Sequence, residues 1–179
     1  MGNSIAVVCF LFEVINLDNE KSVLITAGLR DSFRNGTSKL ANRVCYGYTQ
    51  DERGRLVIYG PEAEIVRWIF DRYLSGDSLG KIVDGLAEQN IPSPTGKPRW
   101  NREALLKLIS NEKYAGIVRL QKTMVQDGKQ VKNQQNISQY IYESNHPAMI
   151  SAEIYAQVQI MRLGRSKIME REPMPKLDW

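Results

Sequence analysis

The sequence predicts an α+β fold, mainly α: a helix-turn-helix-like helical core with small β-hairpins and a long N-terminal helix. Apolar residues recur at helical spacing in "AEIVRWIFDRYL", "LGKIVDGLAEQN" and "NREALLKLIS". A loop too rich in proline to be helical, "IPSPTGKPRW", separates the last two. Short stretches of aromatic and β-branched residues flank this group, as half-buried strands require.

The chain opens on its most apolar run, "IAVVCFLFEVI", residues 5–15. That run is too short to span a bilayer and contains Glu13. "MGNS" lacks the basic leader of a secretory signal. The segment from Ser4 to about Arg34 has no proline and is mostly helical in pattern, with Gly36 placed to end it. "TSKLANRVC", residues 37–45, has no period and is expected to be an extended connector. "YGYTQDERGRLVIYG" is expected to form a hairpin turning at "DERG".

Pro61 suits the first position of the next helix, and Glu62 and Glu64 lie where the helix dipole favours anions. Its buried stripe is expected to be Ile65, Val66, Ile69, Phe70 and Tyr73, with Gly76 beyond its end. Ser78 caps a second helix bearing Leu79, Ile82, Val83, Leu86 and Ala87 on one side, and Asn90 suits a left-handed stop. After the proline loop, Asn101 can cap a third helix while Trp100 packs back on the core. Leu105, Leu108 and Ile109 share one face of it. Beyond "NEKYAG", the strands "IVRLQKTMV" and "SQYIYES" flank a polar, basic connector, "QDGKQVKNQQN". A last helix starts at Ser151 with Ile154, Val158 and Met161 inward, and the tail from Arg165 is expected to fray.

At 179 residues, with 42% hydrophobic and 25% charged residues, the chain can bury a sizeable core and is not wholly disordered. A net charge of +4 and a pI of about 9.1 are compatible with a polyanionic partner without establishing one. Two cysteines, Cys9 and Cys45, and one histidine cannot build a four-ligand zinc site unless carboxylates join in, and no disulfide framework is expected. No metal or other cofactor is expected, and a reducing, cytoplasmic setting is the simplest expectation. His146, in "SNHPAM", reads as a turn or packing residue rather than a base. There is no GxSxG, HExxH or phosphate-binding glycine loop, so no catalytic residue is assigned and no small-molecule substrate is expected.

The cations around the third helix are harder to explain by stability. Arg99 and Arg102 stand at its start, Lys97 precedes them, and Lys107 follows about a turn later. Positive charge at a helix N-terminus opposes the macrodipole. In a helix-turn-helix, that end of the second helix faces base edges in the major groove of duplex DNA. Arginine can pair bidentately with guanine, each such contact discriminating by roughly 1–3 kcal/mol. This expectation requires that the arginines not be consumed by internal ion pairs and that the helix's leading end stay open. The competing explanation is an ordinary solvated helix face.

The ordered set of tyrosine-glycine-tyrosine hairpin, "AEIVRWIF", "SLGKIVDGL", "IPSPTGK…W" and "NEKYAG" closely resembles the recombinase domain of the large serine recombinases, the phage integrase and transposon resolvase group. Weaker likeness through "GLRDSFRNG", "QKTMV" and "NHPAMISAEIYAQVQ" extends it over roughly residues 20–165. The resemblance implies a double-stranded DNA partner, the attachment site, and a connector following the minor groove through Lys39, Asn42 and Arg43. It also implies that Asn101, Arg102 and Lys107 lie on the helix entering the major groove. The family's catalytic domain, which carries the nucleophilic serine, and its cysteine-rich zinc ribbon have no counterpart in this sequence. Val44 and Cys45 stand where members often have proline.

The expected organisation is a linking helix over 1–36, a DNA-binding domain over 37–116, and a β-hairpin, helix and frayed tail over 117–179. The chain is expected to be the DNA-binding part of a site-specific recombinase used in integration and excision, and not an enzyme by itself. The alternative is an interaction or dimerisation fragment that has lost DNA binding, self-associating through residues 5–15.

Overall fold

Three helices with complementary apolar stripes build the main hydrophobic core. The computed structural model describes residues 24–35, 38–126, 129–133 and 138–171, side chains at 126 and 167–171 excepted. Helix α1 is described over residues 24–34. The rest of the expected N-terminal helix, the apolar run 5–15, Gly36 and the tail beyond Arg171 lie outside the described residues.

Strands β1 (Tyr48–Gln50) and β2 (Leu56–Ile58) form an antiparallel hairpin in the register Tyr48↔Ile58, Thr49↔Val57, Gln50↔Leu56. Asp51 closes its turn by accepting from the amides of Arg53 and Arg55. Helix α2 spans Gly60–Leu74 with Pro61 in its first turn, and buries Ala63, Val66, Ile69, Phe70 and Tyr73. Ile65, expected on that stripe, is only partly buried, its place taken by Ala63. The Glu62 carboxylate has a more specific role than dipole compensation. It accepts the Gly47 amide at 2.7 Å and so ties the hairpin to the helix start.

Helix α3 (Leu79–Glu88) begins at Ser78, whose hydroxyl accepts the Lys81 amide, and buries Ile82, Val83 and Leu86. Asn90 adopts the expected left-handed backbone, φ 54°. Helix α4 (Arg102–Ile109) begins at Asn101, whose side chain accepts the Ala104 amide at 2.6 Å, and buries Leu105, Leu108 and Ile109. A 3-10 turn follows over Glu112–Ala115, capped by Asn111 and ended by Gly116 at φ 75°.

Strands β3 (Val118–Leu120) and β6 (Tyr140–Tyr142) pair with each other, and β4 (Thr123–Gln126) pairs antiparallel with β5 (Lys129–Lys132). The stretch expected to be a connector therefore contains a strand. Helix α5 spans Ala152–Arg171, past the expected fraying point, with the Ser151 hydroxyl accepting the Ile154 amide. Arg165 holds it in place: its guanidinium donates to the carbonyls of Gly76 and Asp77 and lies over the Tyr73 ring. Among the described residues, no helix is long and apolar enough to cross a membrane.

The chain divides into two units. One comprises Met1–Ala41 and Arg119–Tyr140, the other Asn42–Val118 and Ile141–Trp179. In the first, Phe33 is buried with its ring 6.1 Å from that of Tyr140, and the β4–β5 hairpin is held by Asn133, whose amide donates to the Lys122 carbonyl. In the second, α2, α3, α4 and α5 enclose one core with the β1–β2 hairpin. Tyr114 lies inside it, edge-on to Phe70, stacked with Tyr48, and donating its hydroxyl to the Tyr46 carbonyl at 2.9 Å. Burial pushes its phenol pKa well above the ordinary range, so the hydroxyl stays a donor.

Candidate nucleic-acid interface

The loop between α3 and α4 is a closed turn on the protein surface. Ser93 is buried, its hydroxyl accepting the Lys97 amide and its own amide donating to the Lys97 carbonyl. Gly96 turns the chain at φ 76°. Pro92, Pro94, Lys97, Pro98 and Arg99 are all exposed, and Trp100 then drops into the core, edge-on to Tyr46 at 5.3 Å. The buried indole anchors the loop's end.

Asn101, Arg102 and Glu103 are exposed, and no packed segment covers the leading end of α4 among the described residues. Arg102 makes no ion pair there. Its guanidinium lies along the first turn of α3, where a Cβ built on Gly80 would stand 3.1 Å from Nη2. Arg99, by contrast, is paired: its Nη2 donates to Asp84 Oδ1. Half of the stated requirement is thus unmet, since one of the two arginines has an internal partner. Both members of that pair are more than half exposed, at 61% and 55% of their side-chain surface. Such pairs are worth about 0.2–1 kcal/mol, so this one holds Arg99 only weakly. Lys107 pairs with Glu103 at 2.7 Å, one turn back on α4. That is an ordinary i, i+4 helical pair and accounts for Lys107 without a ligand.

The minor-groove candidates have a different setting. Residues 38–42 form a turn, with the Ala41 amide donating to the Ser38 carbonyl, so the expected extended connector is limited to residues 43–45. Lys39 belongs to the first unit and is exposed; Asn42 and Arg43 belong to the second. Gln50 donates to the Asn42 carbonyl and Lys113 to the Arg43 carbonyl, which fixes the backbone there and leaves the Arg43 side chain outward. Asp84 and Gly80 were not singled out from the sequence. A glycine in the first turn of a helix, where it costs about 0.5–1 kcal/mol, was the available signal of a close approach.

Two clefts lie on the second unit. One of about 440 Å³ is lined by Ile65, Arg67, Trp68, Asp71 and Ile91, and the other, of about 480 Å³, by Asp51, Arg55, Asn145 and His146. Ser144 also lines the second, but neither ring nitrogen of His146 is hydrogen-bonded to it, and among the described residues no group of three or more His, Cys, Asp or Glu side chains could hold a metal ion. His146 is buried, edge-on to Tyr48 at 5.0 Å, with Nε2 2.7 Å from the Lys113 carbonyl. Facing a carbonyl, Nε2 is the protonated nitrogen of the neutral ring.

Burial lowers the His146 pKa from its ordinary 6.5. A depressed folded-state value means that the unfolded chain binds the proton first. The associated stability is present above about pH 6.5 and is lost as pH falls from there. Urea unfolding at pH 7 and pH 5 is expected to show a loss of no more than about 1.4 kcal/mol per pH unit. His146 is the only histidine, so His146→Gln is expected to flatten that slope. An unchanged slope would assign it to other groups.

A family model described as Recombinase matches residues 61–165, more than half of the chain, and the chain belongs to that family. Similar solved structures include the following two. One is described as the crystal structure of an LSR–DNA complex, with 21% identity over 73% of this chain and a TM-score of 0.47. The other comes from work on the sequence requirements of the Listeria innocua prophage attP site, with 22% identity over 74% of this chain and a TM-score of 0.45. The chain spans 36% and 48% of the lengths of those two proteins.

Proposed function

We propose that this chain is the DNA-binding module of a site-specific serine recombinase, gripping attachment-site DNA beside the point of strand exchange. The supporting observation is the open leading end of α4, where Arg102 has no acidic partner among the described residues and Lys97 and Arg99 stand exposed beside it. In this proposal α3, the proline loop and α4 act as a helix-turn-helix with an enlarged turn, and α4 enters the major groove. Arg102 and Arg99 read base edges and Lys97 meets phosphate. Asn101 spends its side-chain oxygen on capping and offers its amide nitrogen. Lys39, Asn42 and Arg43 follow the minor groove, and Lys107 contributes least because Glu103 neutralises it. The phosphoserine chemistry of strand exchange belongs to a catalytic domain of the whole recombinase, and no residue described here is given a catalytic role.

Affinity for duplex DNA is expected to fall steeply as salt rises, because displaced counterions supply much of the binding free energy. Arg102→Ala is expected to cost about 1–3 kcal/mol on a selected duplex and much less on random sequence. Lys39→Ala is expected to weaken both alike and to reduce the salt slope by about one. Fluorescence anisotropy with both duplexes at several salt concentrations separates the roles. Identical behaviour of the two variants on every duplex would overturn the assignment.

A second reading, self-association without DNA binding, is favoured by one observation: Leu24 and Ile25 on α1 are each 72% exposed. Light scattering that finds a monomer with and without residues 1–20, together with salt-sensitive duplex binding, would eliminate it.

A further inference from the structure

Gly80 and Asp84 are four residues apart on α3, and therefore on the same face, about 6 Å from one another along the axis. Each meets one of the two arginines that flank Trp100. The Arg102 guanidinium lies over Gly80, where the absence of a side chain leaves it room. The Arg99 guanidinium is held at Asp84 through Nη2. One face of α3 thus seats two arginine forks a helical turn apart, although the residues carrying them come from the loop and from α4. Arginine has five N–H donors, and the Asp84 contact engages one nitrogen, so Arg99 can keep its carboxylate partner and still present a free edge.

An exposed ion pair of this type adds little to stability, and an acidic residue beside a DNA-facing surface repels phosphate. Asp84 is therefore poorly explained both as a stabilising residue and as an attraction for DNA. Its carboxylate does remove rotamer freedom from a long side chain that must arrive at a base edge in one orientation, which reduces the ordering cost of binding.

We propose that Asp84 is a specificity-determining positioning residue, acting through Arg99 on base reading in duplex DNA. This rests on the DNA-binding reading above. The test begins with selection of bound sequences from a randomised duplex library by the full chain, followed by affinity measurements on the selected duplex and on a random one. Asp84→Ala is expected to lower the selected-to-random affinity ratio by about fivefold or more. Repeating the selection with that variant is expected to relax preference at one base position. Asp84→Glu, which keeps the carboxylate within reach of Arg99, is expected to restore most of the ratio, and both variants are expected to melt within a few degrees of the parent. If Asp84→Ala instead tightens both duplexes by the same factor, Asp84 is only a repulsive charge and the proposal fails. If both affinities drop together with the melting temperature, the residue is structural and the proposal fails equally. A parent chain that enriches no sequence overturns the DNA-binding reading and this inference with it. Enrichment with an unchanged ratio in Asp84→Ala overturns this inference alone.

Discussion

Replacing Tyr114 by alanine is expected to lower the unfolding free energy of the second unit by about 3–5 kcal/mol, the range for deleting a buried aromatic ring. Tyr114 is 2% exposed, and its ring touches both Phe70 and Tyr48. Its backbone carbonyl also receives the amides of Met149 and Ile150, joining the 3-10 turn to the segment leading into α5. The ring and hydroxyl contributions separate cleanly. Tyr114→Phe keeps the packing and removes the hydroxyl, which donates to the Tyr46 carbonyl and also bonds the Cys45 thiol, at an expected cost of about 1–2 kcal/mol. Equilibrium urea unfolding of both variants tests this. A Tyr114→Ala loss under about 1.5 kcal/mol would mean that the ring is not a keystone of the core.

Gly47→Ala is expected to cost about 2–4 kcal/mol, for two separate reasons. Gly47 has φ 90°, a conformation costly for residues with a Cβ. A Cβ there would also stand 2.6 Å from Met149 Cε and 3.2 Å from Val66 Cγ2. The methionine tip can move, whereas Val66 is fully buried on α2 and has little room. Thermal melting of Gly47→Ala beside Gly54→Ala provides the comparison, since Gly54 also has positive φ, at 72°, but no atom within 4 Å of its Cβ position. Equal losses would show that backbone conformation alone accounts for the Gly47 cost.

The elements with local start and stop chemistry were legible in the sequence. Pro61, Ser78 and Asn101 mark helix starts because each satisfies, or makes unnecessary, an orphaned amide within its own turn. Asn90 and Gly76 mark ends because each takes a left-handed backbone, φ 54° and 99°, which lets the next amide reach one of the helix's last carbonyls. Trp100 was legible as a packing residue because a large apolar side chain just before a cap has an obvious surface to cover. Strand β5 was not legible. Its sequence, "KQVK", is polar and lysine-rich, and its state is set by cross-strand pairing with β4 rather than by its own propensity. The 3-10 turn at Glu112–Ala115 was missed because one short turn carries no hydrophobic period.

The site divides along the same line. That cations crowd the start of α4 follows from spacing alone. Which of them are engaged does not, because Asp84 reaches Arg99 from another helix, fifteen positions earlier. Glu103 and Lys107 were separable in principle, since an i, i+4 acid–base pair on one helix is a local pattern. The reach of Arg102 across Gly80 depends on how α3 and α4 pack, and sequence spacing does not encode that.

The Arg165 clasp on the end of α2 has a consequence for how the protein comes off the ribosome. The second unit is assembled from two stretches separated by residues 119–140, and Met149, Ile150 and Val158 from the later stretch fill the core built by the earlier one. During synthesis α2, α3 and α4 emerge first and must wait, apolar faces uncovered, until α5 has been translated. Closure then requires bringing distant parts of the chain together, which slows it relative to a bundle of sequential helices. A nascent chain stalled before α5 is the species most exposed to aggregation.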